Sequence, residues 1–110
     1  MYDLASFSRE HRRWLTYNFP DQTVEQGLMG VIEEVGEIAH VLLKHQQGIR
    51  EFKDPQDAKL AIIDGVGDLV IFLDGFCHTM NIDLCDAIAR TWEQVRKRDW
   101  QQYPTDGIKS

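Results

Sequence analysis

Three carboxylates, Glu33, Glu34 and Glu37, fall within five residues in the run Leu28–Lys44, LMGVIEEVGEIAHVLLK, and two more, Asp64 and Asp68, stand four apart in a run that is otherwise mostly apolar. At about 100° per residue the three glutamates share a helical arc roughly 100° wide. The adjoining arc carries Leu28, Val31, Ile32, Val35, Ile38, Ala39 and Leu42, which reads as a core-packing stripe with Glu34 at its border. Like charges on one helix face repel by a few tenths of a kcal/mol per pair. No Lys or Arg stands between Thr23 and Leu43 to offset that repulsion, and none occurs from Leu60 to Ala89 around the two aspartates. A carboxylate withdrawn from water is costly unless paired, so the positive charge has to come from elsewhere. Two helices presenting carboxylates to each other make an oxygen cage for a hard divalent cation, Mg²⁺ or Mn²⁺. The competing reading is a polar seam between helices, or for the glutamates alone a solvated acidic face.

The elements that must carry these groups are helices. Asp3 caps a first helix through Leu4, Phe7, Trp14 and Leu15, which stops near Asn18 because Pro20 forces Phe19 out of the α region. Thr23-Val-Glu-Gln26 is a capping box for the acidic helix, and Gly48 ends it in the left-handed conformation with Ile49 folding back. Ile49 to Lys53 forms a short basic loop. Asp54-Pro55 restarts the chain as N-cap and first helical residue. The stretch Leu60–Cys77, LAIIDGVGDLVIFLDGFC, is apolar on nearly all sides, as a central helix would be, and its glycines Gly65, Gly67 and Gly75 predict close approach of a neighbour or ligand. Asp83 caps a fourth helix through Leu84, Ile88, Trp92 and Val95 to about Trp100, and residues 101–110 read as an irregular tail or an arm onto a neighbouring subunit. The expectation is one all-α domain over residues 1–110, a four-helix bundle module.

Twelve basic against 18 acidic residues, net charge −6, argue against a long nucleic acid as partner. No uncharged run reaches the span of a bilayer and no apolar signal region follows Met1, so the chain reads as cytoplasmic with no membrane partner. Cys77 and Cys85 lack CxxC spacing and sit among apolar neighbours, as free thiols do. No Walker A loop or Rossmann glycine fingerprint is present.

Taken in order, Glu33-Glu34-Val35-Gly36-Glu37, then Asp64-Gly65-Val66-Gly67-Asp68, then Val95-Arg96-Lys97-Arg98-Asp99-Trp100 resemble the MazG-like all-α nucleoside triphosphate pyrophosphohydrolases over most of the chain, from about Leu28 to Pro104. The resemblance implies a four-helix module that assembles as a homodimer or homotetramer. It also implies Mg²⁺-dependent cleavage of an NTP or dNTP to the monophosphate and pyrophosphate. By position, Glu34 and Glu37 match metal ligands, Glu33 an accessory carboxylate and Asp68 the final ligand. The family's second pair is ExxD; here Gly65 stands three before Asp68, so Asp64 would serve from one residue earlier. Lys44, Arg96, Lys97 and Arg98 are candidates for gripping the triphosphate, with ordinary surface charge as the alternative. Phe72 stands where some relatives carry a tyrosine.

The same chemistry is coherent from the residues themselves. Cleaving a phosphoanhydride needs charge neutralisation on the phosphates and an oriented water, which carboxylate-held metal and a spare carboxylate, Glu33 or Glu37, provide. Trp14, Tyr17, Phe19 and Trp92 are aromatics able to stack on a base or to fill the core. Three further readings stay open: a non-catalytic bundle that binds a nucleotide or partner chain, a phosphoribosyl-ATP pyrophosphatase-like enzyme, and a di-iron carboxylate bundle suggested by Glu37-Ile38-Ala39-His40. The last lacks its second ExxH.

Overall fold

Asp3 accepts a hydrogen bond from Ser6 N at 2.8 Å and opens the first helix, α1, Leu4–Asn18. The capping box forms as the sequence predicts: Gln26 N donates to Thr23 Oγ1 and Thr23 N to Gln26 Oε1, launching α2, Val24–Gln47. Gly48 closes α2 at φ 72°, and Ile49 N returns to Lys44 O. A single 3₁₀ turn, Arg50–Phe52, leads to Asp54, whose carboxylate caps α3, Pro55–Thr79. Asp83 caps α4, Leu84–Val95. This computed structural model describes residues 2–109, and among them there are four α-helices and no strand. None of the helices is long and apolar enough to cross a membrane.

Two features of the C-terminal part differ from the expectation. α4 ends at Val95 rather than near Trp100. The residues after it carry no helix or strand, as expected of an irregular segment, but are closed into a loop that was not expected: Asp99 N donates to Gly107 O, Tyr103 N to Asp99 O and Gly107 N to Tyr103 O. The backbone groups of Asp99 that would continue the helix are used by the loop, and its carboxylate takes Gln102 N as well.

The antiparallel pair α2/α3 is the centre of the molecule. α1 lies on the second half of α3 through a buried polar cluster in which Asp74, with 0% of its surface exposed, accepts from Ser8 Oγ and His11 Nδ1, each at 2.7 Å. Arg12 stands 3.7 Å from the same carboxylate and donates to Ile82 O in the turn before α4, so one aspartate ties three parts of the chain. α4 rests against α1 and leaves Ile88, Trp92 and Val95 in solvent.

α2 is rotated relative to the orientation its apolar pattern predicts. Its buried residues are Gly27, Gly30, Glu34 and Val41, a face centred about 125° from the stripe of Leu28, Ile32, Val35 and Leu42. The carboxylate-bearing side packs on α3, and the stripe read as core-packing is exposed, Ile32 at 62% and Val35 at 51%. The whole chain is correspondingly open: its radius of gyration is 17.7 Å, against about 13 Å for a compact domain of this length.

Candidate metal centre

The α2/α3 register follows from three close approaches. A Cβ on Gly27 would stand 3.0 Å from Phe76 Cα, one on Gly30 would overlap the Phe72 ring, and one on Gly65 would stand 2.7 Å from Ile38 Cγ1. In each pair the residue numbers add to 102 or 103, the mark of an antiparallel register. The same register sets Glu34 opposite Asp68 and Leu69. Small residues on both sides of Glu34 bring the helices together, and the carboxylate is caught at the middle of the seam.

Glu34 is 6% exposed, and its Oε2 has no hydrogen-bond partner among the described residues. Glu33 and Glu37 flank it, so that one oxygen from each of the three carboxylates lies within 4.8 Å of the other two. Burial pushes the Glu34 carboxyl above the usual glutamate range; the charges of Glu37 and Asp68, a hydrogen bond with Glu37, and the charge of Glu33 push it the same way. An unpartnered buried oxygen among four acidic groups suits a hard cation with water completing its shell. The residues fit such an ion on their own chemistry.

The remaining predicted site residues are placed as follows. Asp68 lies at the edge of the seam, its charge felt at Glu34 from across the helix pair. Asp64 is exposed and outside the group of three glutamates. At 100° per residue it sits about 40° further from the seam than Asp68, whereas position 65 points straight into it against Ile38. Close approach, expected of Gly67 as well, is absent there: a Cβ on Gly67 would meet nothing within 4 Å. Lys44 lies seven residues beyond Glu37 on α2, about 10 Å along the axis, and its Nζ donates to Gln47. Arg96 and Lys97 pair with Glu93, and the Arg98 guanidinium lies 5.8 Å over the Trp100 ring. Within one chain these cations are engaged near the end of α4 and its loop. Trp14 is half exposed on α1, stacked on His11 and edge-on to Phe19.

Beside the acidic group opens a cleft of about 580 Å³ lined by Asn18, Phe19, Gln22, Gln26 and Phe72 among others. Phe72 is one turn beyond Asp68, and its ring lies where a side chain on Gly30 would go. Phe72 thus stands about 6 Å along α3 from Asp68, and the Gln26 amide, which offers donors and an acceptor together, about 10 Å along α2 from Glu33. The sequence offered no signal for Gln22, Gln26 and Phe72 as a set, because only the helix register joins them. Compared with protein-family models, with curated proteins and with solved structures, the chain matches none.

Proposed function

We propose that the chain is a nucleoside triphosphate pyrophosphohydrolase that binds Mg²⁺, or Mn²⁺, in the α2/α3 seam and cleaves an NTP or dNTP to the monophosphate and pyrophosphate. The observation that carries this reading is the buried, unpartnered Glu34 Oε2 among Glu33, Glu37 and Asp68. Glu34, Glu37 and Asp68 hold the ion, with Asp64 as an outer carboxylate that a water could link to it. When bound, the metal supplies positive charge to the phosphate oxygens. Glu33, or Glu37 through its second oxygen, is placed to orient a water and take its proton. The water oxygen bonds to the α-phosphorus, the bond from that phosphorus to the α,β-bridging oxygen breaks, and pyrophosphate leaves with the electron pair.

The neighbouring cleft supports a nucleotide rather than a bare polyphosphate. Phe19 and Phe72 offer ring faces for stacking, and Asn18, Gln22 and Gln26 offer amides for a base edge. Lys44 on α2 is the cation of the same helix that a triphosphate extending from the seam meets first. The open shape of the single chain supports a homodimer or homotetramer as the working form.

Glu37→Gln and Asp68→Asn test the assignment together with chelation. Turnover should fall at least about a hundredfold in each, and to background in excess EDTA, while the helical circular dichroism persists. Activity unchanged by EDTA and by both substitutions would remove the metal reading; loss of helicity in the variants would mean that the carboxylates hold structure instead.

A further inference from the structure

Two of the amides that line the cleft beside the acidic group are held in one orientation each. Gln26 closes the capping box of α2, its Oε1 accepting from Thr23 N at 3.0 Å. A backbone N–H can be met there only by the oxygen, so the amide nitrogen, Nε2, is the end that the cap leaves for the cleft. Asn18 is fixed the other way round. Its Nδ2 donates to Trp14 O at 2.9 Å, and a carbonyl can be met only by the nitrogen, so Oδ1 is its free end. Asp21 lines the same cleft with a carboxylate, which accepts only, and among the described residues no cation pairs with it. Beside the rings of Phe19 and Phe72 the cleft thus offers one fixed donor and two fixed acceptors.

We propose that these three groups read the exocyclic amino group of a base, so that the cleft takes cytosine and adenine in preference to their keto counterparts, uracil and hypoxanthine. The inference rests on the reading of this cleft as the base site of a nucleotide and adds which edge it accepts. An amino group has two N–H bonds, one for Asn18 Oδ1 and one for the Asp21 carboxylate. The unprotonated ring nitrogen beside it accepts from Gln26 Nε2. A keto base reverses both positions: its carbonyl oxygen faces two acceptors, and its ring N–H faces the Gln26 donor. Facing acceptors repel as well as losing their bonds, which costs more than an absent partner would. Amino and keto members of each pair have the same outline, so hydrogen bonding is what separates them. Gln26 is then a specificity-determining residue, and the bond that starts α2 is also the one that aims its amide.

The test is titration of the ¹⁵N-labelled full chain with cytidine against uridine and with adenosine against inosine, followed by NMR at the side-chain amides. Nucleosides carry no phosphate, so the result depends neither on the metal site nor on turnover. The amino member of each pair should bind about three- to tenfold more tightly, the worth of roughly one net hydrogen bond, and should shift the Gln26 Nε2 signal. Gln26→Glu keeps an oxygen for Thr23 N, so helical circular dichroism should persist, while the donor facing the cleft becomes an acceptor. Affinity for cytidine and adenosine should then fall by about the same factor. Asp21→Asn, in the exposed turn before α2, should bring the members of each pair closer to equal. Equal binding within either pair, preference for uridine or inosine, no binding of any nucleoside, or a folded Gln26→Glu with wild-type affinity would each overturn the proposal. Turnover of triphosphates is measured alongside. Its absence, with cytidine and adenosine still preferred, would remove the hydrolytic reading and leave the base site standing.

Discussion

Glu34 carries most of the argument at the scale of single residues, and its charge is what the fold accommodates least well. Its carboxyl is held above the ordinary glutamate range by burial and by the charges of Glu37, Asp68 and Glu33. It therefore binds its proton more tightly in the folded chain than in the unfolded one. The sign follows: this contribution to the metal-free protein's stability is full below the ordinary glutamate pKa and is lost as the pH rises through the raised one. A cation reverses the preference, because the ligand must be ionised to hold it. Thermal unfolding with and without Mg²⁺ should show a stabilisation by the ion that grows from pH 5 to pH 8. Glu34→Gln should raise metal-free stability at pH 8 by about 1 kcal/mol and abolish the Mg²⁺ effect. A Mg²⁺ shift that is equal at both pH values, or that survives in Glu34→Gln, would place the ion elsewhere. Which glutamate mattered was only partly legible beforehand. The spacing showed three carboxylates on one arc, but whether Glu34 bordered the core or stood at the middle of a helix seam depended on which face α3 covers.

The helices themselves were legible because their ends are local. Asp3, the Thr23–Gln26 box, Gly48, Asp54-Pro55 and Asp83 act within a few residues, and each forms the predicted cap. α4 was read too long because Arg96 to Trp100 suit a helix, and nothing short-range announced that Asp99 would pair with Gly107 instead. The rotation of α2 was missed for a different reason. Apolar periodicity finds a buried stripe without saying what covers it, and the small residues Gly27, Gly30 and Gly65 dictate the α2/α3 contact more strongly than the larger apolar ones. Two glycines on α3 separate these effects. Gly65→Ala should destabilise by about 1–3 kcal/mol through overpacking against Ile38. Gly67→Ala, with nothing within 4 Å, should stabilise by roughly 0.5–1 kcal/mol through helix propensity. Urea unfolding of the two variants checks the register on which the site rests; the same sign for both would contradict it. Position 65 also explains why a glutamate there would not simply replace Asp64, since its side chain would start against Ile38 rather than at the proposed cation site.

Across the whole molecule, the chain divides its polar groups between two buried places with opposite characters. At Asp74 the charge is answered by His11, Arg12 and Ser8, and the cluster locks α1 to α3. At Glu34 one carboxylate oxygen, Oε2, has no hydrogen-bond partner among the described residues. The first was invisible in the sequence because its members lie more than sixty residues apart; the second was visible as acidic spacing but not as an orphaned oxygen. That contrast is why the acidic seam, and not the Asp74 cluster, is assigned the chemistry. The measurement that bears most directly on the assignment is ³¹P NMR of a panel of ribo- and deoxyribonucleoside triphosphates incubated with the protein and Mg²⁺ in ¹⁸O-labelled water. The account predicts, for at least one nucleotide, a monophosphate and pyrophosphate in equal amounts, with the label in the monophosphate. Orthophosphate and a diphosphate as products, label in the pyrophosphate, or no turnover of any triphosphate would contradict it.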